Sequence, residues 1–319
     1  MKPMSFAGTG FDRFTKKTRR QTFLEEMDRI VPWSALCAVV EEHYPKGEVG
    51  RPPIGVERML RIMFLQHWFN LSDPAVEEAL YDTPVMRAFA HIDTGRERVP
   101  DETTICKFRH LIERCDLSGS IFEAVAMHLS EHGIVVRQGT IVDATILDAP
   151  SSTKNKAKER DPEMHQTRKG NQWFFGMKAH VGVDSKTKVI HSVVATPANV
   201  HDSRELPNLL HGNETRIWGD SAYIGQRDVV YGVAAHAQLF INKRATRSHD
   251  LTRADVQRNR TKSRVRARVE HPFLTMKRTF PFSKLRYRGI DKNGTWLIIR
   301  CALVNLFTQK RSLLRLQRA

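Results

Sequence analysis

The chain has 319 residues, enough for a sizeable core together with an accessory module. Its 51 lysines and arginines against 35 aspartates and glutamates give a formal charge of +16, which calls for a polyanionic partner, nucleic acid before any other. The four cysteines form no C-x-x-C pair, no apolar run of about eighteen residues occurs, and the first residues lack a signal-peptide core. These features argue against a zinc ribbon, a disulfide framework, a membrane span and secretion, and the expectation is a cytoplasmic protein.

In chain order, roughly the first 130 residues are predicted to be helical. Within GVERMLRIMFLQHWFNLSDPAVEEAL, Met59, Ile62, Met63, Leu65 and Phe69 recur at helical spacing, and Asp73-Pro74 reads as an N-cap with proline at the first helical position. Thr83-Pro84 repeats that start signal. Asp101 opens ETTICKFRHLIER, where Ile105, Phe108, Leu111 and Ile112 make one apolar stripe. A bundle of short helices is expected over residues 1–132, with a helix-turn-helix reader of DNA as one arrangement open to it.

Near residue 138 the pattern changes. GTIVDATILDAP is a β-branched apolar run, as in a strand buried on both faces. A polar, basic stretch over 150–172 reads as a mobile insertion. Trp173, Phe175, Met177, Ala179, Val181 and Val183 then alternate along a second strand, DSKTK turns the chain, and VIHSVVATPA returns antiparallel. HDSRELPNLL reads as a short helix, TRIWGDSAY as a fourth strand, GQRDVVYGVAAH as a helix and QLFIN as a fifth strand. The segment around Glu270 and TWLIIRCALVNLF are helical again. The expected fold is α/β, a mixed five-stranded sheet flanked by helices over residues 133–319, behind an all-helical N-terminal domain.

Three acids do not fit their surroundings. Asp143 interrupts TIVDATI, where an ionised carboxylate costs several kcal/mol unless paired or metal-bound. Asp220, in RIWGDSAY, also ends a strand, and two such acids can converge on one point. Glu270 lies in RVRARVEHPFLTMKR, where Arg266, Glu270 and Lys277 share one helical face as far as Pro272 allows. Asp148 is the rival for the first position. Asp184 belongs to a turn, Asp202 or Ser203 reads as a helix cap beside His201, and His191 reads as structural. Trp173 and Trp218 read as core aromatics, with stacking on unpaired bases as the other role open to them.

Asp143, Asp220 and Glu270, with the Arg266-Glu270-Lys277 spacing, resemble the DDE transposases of bacterial insertion sequences. VPDETTICKFRHLIE, GTIVDATILDAPSSTKNK, RDPEMHQTRKGNQWFFGMKAHVGVDS and WGDSAY resemble the insertion-sequence-five group, and the resemblance runs from about residue 50 to residue 300. One position departs from the wider signature, which has tyrosine three residues before the arginine where this chain has Ser263. The resemblance implies a ribonuclease-H-like catalytic core over 133–319, a helical DNA-binding domain over 1–132, and Asp143, Asp220 and Glu270 as catalytic metal ligands.

It further implies hydrolysis at the element's ends and attack of the freed 3′-hydroxyls on target DNA. Hard oxygen ligands select Mg²⁺, with Mn²⁺ able to substitute, and two such ions about 3.5–4 Å apart serve an in-line displacement at phosphorus. Arg264, Arg266, Arg268, Lys277, Arg278 and Lys169 are the candidate phosphate contacts, joined by Lys154, Lys156, Lys158 and Arg168. The expected partners are double-stranded DNA, as terminal inverted repeats and target, and a second copy of the chain. A nuclease that cuts without joining, or a DNA-binding regulator derived from a transposase, are the alternative functions.

Overall fold

A computed structural model describes residues 16–47, 53–134, 136, 138–154, 156, 158–246 and 249–317. Seven helices come first: α1 (Arg19–Ile30), α2 (Trp33–Glu41), α3 (Val56–Phe69), α4 (Asp73–Asp82), α5 (Pro84–Phe89), α6 (Glu102–Arg114) and α7 (Leu117–Glu131). α1, α4 and α6 start after a short polar side chain that accepts one of the first N–H groups, which have no partner within the helix. Asp101 accepts from Thr104 N at 2.7 Å as predicted. The cap of α4 lies one residue earlier than expected: Ser72 Oγ accepts from Ala75 N, which frees Asp73 to bind Gln66 and Arg109. α3 is the bundle's axis, with Met59 through Trp68 all buried.

The second half is built on strands β1 (Gly139–Asp148), β2 (His165–Lys169), β3 (Gln172–Asp184), β4 (Ile190–Pro197), β5 (Arg216–Gly219) and β6 (Gln238–Ile241). β1 and β4 run antiparallel on either side of β3, while β5 lies parallel to β1 and β6 parallel to β5. Helix α8 (Arg227–Val233) makes the crossover from β5 to β6. This is the expected mixed sheet flanked by helices, with one strand more than expected. β2 falls inside the stretch read as an insertion; its HQTRK sequence is mostly exposed and carries no apolar alternation that would announce a strand.

β2 and β3 form a hairpin around Gly170, whose φ of +61° suits the tight turn. Gly176 pairs with Asp148 on one side and His165 on the other, so β2 continues the edge that β4 occupies farther along β3. A side chain at Gly176 would meet Leu147 O at 2.0 Å, so the crossing of these strands requires glycine.

After β6 come α9 (Arg253–Arg266), a 3₁₀ turn (Ala267–Val269), α10 (Glu270–Leu274), a π turn (Thr275–Thr279) and the long α11 (Ile290–Leu316). α11 is buried through most of its length and packs against α7, α1 and β4. The main core therefore runs from the bundle through α11 to one sheet face, where Ile141, Leu147, Met177, Ala179, Val181 and Val183 alternate inward. A smaller cluster covers the other face with Val142, Leu206, Leu209, Ile217, Tyr223 and Val230. Asn305 ties helix to sheet: its amide accepts from Ile190 N at 2.8 Å and donates to Ile190 O at 2.7 Å. Among the described residues no helix is long and apolar enough to cross a membrane.

Candidate active site

β1 and β5 part company early. Their parallel pairing covers only Gly139–Ile141 against Arg216–Trp218, so beyond that point β1 keeps β3 on one side and opens a cleft on the other. Asp143 stands two residues past Ile141, and Asp220 two residues past its partner Trp218. The two acids thus stand at the same level, Asp143 within β1 and Asp220 just past the carboxyl end of β5, where ligand sites in open α/β sheets form. Gly219 permits the close approach before Asp220, since a side chain there would meet Tyr223 at 2.9 Å and Val142 at 3.2 Å.

The cleft has a volume of about 440 Å³ and is walled by Asp143, Asp220 and Glu270 together with Arg266, Lys178 and Asp202. Asp143 Oδ1 accepts from Ala144 N at 2.9 Å, and Oδ2 faces Arg266 Nη1 at 3.4 Å. Burial raises the Asp143 carboxyl to about 6; Arg266 and the Ala144 N–H oppose that shift, while Asp220 and Glu270 add to it. Asp220 caps the short 3₁₀ turn after β5, with Oδ1 accepting from Ala222 N at 2.8 Å, and lines the cleft as well. Capping and facing the cleft are thus compatible for this carboxylate.

The segment around Glu270 answers the question that Pro272 raises. Proline has no N–H to continue the helix, and the run divides into α9, a 3₁₀ turn, α10 and a π turn. Those changes of pitch keep Arg266 and Glu270 in the cleft and turn Lys277 toward β1, where Nζ donates to Ile146 O at 2.7 Å. Lys277 and Arg278 share a neighbouring groove with Glu270. Arg264, Arg268, Arg278 and Lys169 are exposed, Arg268 also donating to Ser185 O, and Lys169 reaches the cleft from β2 beside Arg168. Ser263 bonds Asn242 at 2.9 Å.

Other expected residues divide. Asp148 is exposed at the far end of β1 and does not wall the cleft. Asp184 makes the expected turn, accepting from Lys186 N and Thr187 N. His191 is largely buried, and that burial holds its pKa down at about 3. Trp218 is buried and stacked on Phe240, whereas Trp173, expected to face the core, is 64% exposed because it sits on the hairpin beyond the covered part of the sheet.

The cap before the 3₁₀ helix Asp202–Leu209 is His201, and Asp202 instead pairs with Lys178 Nζ at 2.8 Å on the cleft wall. Lys178 also donates to Val200 O. This pair was missed; its signal was a lysine set within the apolar second strand.

Residues 135–306 match the family described as Transposase DDE domain, and residues 12–111 match the family described as Transposase domain (DUF772). The chain belongs to the DDE-domain transposases. It is therefore a polynucleotidyl transferase of DNA transposition, and the acids of its cleft belong to a family that works with divalent metal ions. Among solved structures the transposase is similar to a chain of the piggyBac transposase synaptic complex with hairpin DNA, at 10% identity over 93% of this chain and 76% of that one, with a TM-score of 0.47.

The donor set fits a hard divalent ion: Asp143, Asp220 and Glu270 open to one cleft beside the Lys178-paired Asp202, with no cysteine or histidine among the described residues of its walls. Among the described residues no three His, Cys, Asp or Glu side chains are already set to hold one ion together.

Proposed function

We propose that Asp143, Asp220 and Glu270 are the catalytic carboxylates of this transposase, that they hold Mg²⁺, and that Mn²⁺ substitutes for it. The observation that carries this reading is the level placement of Asp143 and Asp220 past the last β1–β5 pair, with Glu270 on the same cleft. The bound ions would supply an activated oxygen nucleophile and stabilisation of the leaving oxygen. The chain's own part is to fix three carboxylates on one strand, one strand end and one helix, to set Arg266 beside Asp143, and to lay cations around the entrance. The steps served are hydrolysis at the ends of the element and transfer of the freed 3′-hydroxyls into target DNA.

In this reading Arg264, Arg268, Arg278 and Lys169 meet phosphates directly, while Arg266 and Lys277 carry their charge closer to the acids. Such contacts give affinity and salt dependence with little base specificity. The sequence motifs favour the insertion-sequence-five group and a division near residue 132 into a DNA-binding helical part and a catalytic part, and a reaction that pairs two DNA ends calls for a homodimer, placed in the bacterial cytoplasm. The experiment is cleavage and strand transfer with Mg²⁺ on DNA carrying the element's ends. Asp143→Asn, Asp220→Asn and Glu270→Gln each abolish both steps and leave DNA binding within a few-fold. Wild-type cleavage by any one of them removes that residue from the centre, and cutting without joining by the unmodified protein marks a nuclease instead.

A further inference from the structure

The acidic cleft is lined from both faces of the sheet. Asp143 pairs with Val181 across β1 and β3, while Lys178 pairs with Ile146, an odd number of positions farther along β1, so Lys178 and Asp143 stand on opposite faces. Both wall the one cleft, Asp143 from the side of Arg266 and Lys178 from the side of the 3₁₀ helix Asp202–Leu209. Lys178 Nζ donates to Val200 O at 2.7 Å and to Asp202 Oδ1 at 2.8 Å, which occupies two of the three N–H groups of an ammonium. Thr196, its neighbour across the strands on β4, is fixed in turn, with Oγ1 2.8 Å from His180 Nε2. A buried pair of lysine and aspartate stabilises a fold no better than apolar side chains of the same volume, so stability does not account for this pair in the cleft wall.

We propose that Lys178 is a further catalytic residue, its third N–H donating to a non-bridging oxygen of the phosphate under attack, and that Asp202 is the residue that positions it. The proposal rests on the DDE reading above and deepens it, since it takes the scissile phosphate to lie among Asp143, Asp220 and Glu270. In the hydrolytic step a water oxygen bonds to phosphorus, the P–O3′ bond breaks, and the departing O3′ takes up the proton that the water gives up. The non-bridging oxygens carry charge in the transition state, and an ammonium fixed beside them before the reaction begins stabilises that charge without reorganisation. Lys178 keeps its own proton from start to finish. Val200 O and Asp202 hold the ammonium at the cleft wall, where a free lysine would swing over several rotamers.

The test uses the full chain with Mg²⁺ in single-turnover cleavage of DNA carrying the element's end, the scissile phosphate made with oxygen or with sulfur at either non-bridging position. Sulfur is a poor partner for an ammonium N–H and for Mg²⁺ alike, but Mn²⁺ restores only the contact to metal. Sulfur at the position facing Lys178 is expected to slow the wild type ~10-fold, in Mg²⁺ and in Mn²⁺. Lys178→Met cleaves the all-oxygen DNA ~100-fold more slowly, binds DNA within a few-fold of wild type, and loses nothing further to sulfur at that position while responding as wild type does at the other. Asp202→Asn is slowed less than Lys178→Met and shows a smaller sulfur effect at the same position. Each sulfur effect is a ratio measured on one protein, so a variant folded only in part still reports it. Wild-type cleavage by Lys178→Met, unchanged sulfur effects in Lys178→Met, or a loss of DNA affinity as large as the loss of rate overturns the proposal, and sulfur effects in Asp202→Asn equal to those of wild type remove Asp202 from it. Failure of the DDE reading shows separately, as wild-type cleavage of the all-oxygen DNA by Glu270→Gln.

Discussion

Arg266 Nη1 stands 3.4 Å from Asp143 Oδ2, so a carboxylate rooted in the central strand has its counter-charge on a helix 123 positions later in the chain. The pairing does not offset burial, and the Asp143 carboxyl remains raised to about 6 from 3.8. A raised acid stabilises the fold while protonated: between about pH 4 and pH 6 the folded chain binds more protons than the unfolded one, and stability falls as pH rises through that window. Asp143→Asn removes the deficit. In chelator, the variant is expected to be roughly 2–3 kcal/mol more stable than wild type at pH 7.5, with the difference shrinking toward zero near pH 4. Denaturant unfolding at both pH values checks it, and a difference independent of pH would show that Asp143 is not held above its ordinary range.

Lys277 and Arg278 are neighbours with different duties. Lys277 donates to Ile146 O of β1, whereas Arg278 is exposed on the groove. Lys277→Met is expected to lower stability by about 1 kcal/mol, the net worth of one hydrogen bond, as well as weakening DNA binding. Arg278→Ala should leave unfolding unchanged and make the slope of log affinity against log salt shallower by ~0.9. If Lys277→Met unfolds like wild type, the bond to Ile146 has no part in holding the π turn after α10 to the sheet.

The acids were legible because each breaks a pattern: Asp143 an apolar strand, Asp220 the end of a short one, Glu270 a basic run. A residue that satisfies its local pattern gives no such signal. Asp202 fitted a helix start and could pass for a cap, yet the cap is His201, and only the β3 register brings Lys178 to Asp202. β2 was invisible for a related reason, since a ribbon exposed on both faces needs no apolar alternation. Its strandedness comes from β3, which is longer than β4 and leaves an edge to be paired. Trp173 was misjudged because alternation assigns a face to a residue without saying where along the strand the cover ends. The mixed sheet itself was legible, the period of two being strong in β3 and the β-branched run in β1 unambiguous.

Lys178 and Asp202 are both largely buried in the cleft wall, at 13% and 23% side-chain exposure, and Asp202 shares that wall with Asp143, Asp220 and Glu270. Lys178→Met leaves one more unpaired carboxylate among like charges, and a loss of about 1–3 kcal/mol is expected in chelator. Adding Asp202→Asn removes the stranded charge, so the double variant should be more stable than Lys178→Met alone. Additive losses in the double-mutant cycle would mean that the two side chains do not interact.

Asn305 does for β4 what a neighbouring strand would do, satisfying both the N–H and the C=O of Ile190 from inside α11. Asn305 is buried, and Ile190 is buried as well, so water has no easy route to either backbone group once the amide is gone. A leucine at 305 is close in volume and keeps the apolar packing, but it strands one donor and one acceptor at about 1–3 kcal/mol each. Asn305→Leu is therefore expected to lose roughly 2–6 kcal/mol, more than an exposed hydrogen bond could explain. Asn305→Asp separates the two bonds, since the carboxylate still accepts from Ile190 N and cannot donate to Ile190 O. Urea unfolding of the three proteins should rank wild type above both variants, and an Asn305→Leu chain as stable as wild type would show that the long helix holds the sheet by apolar packing alone.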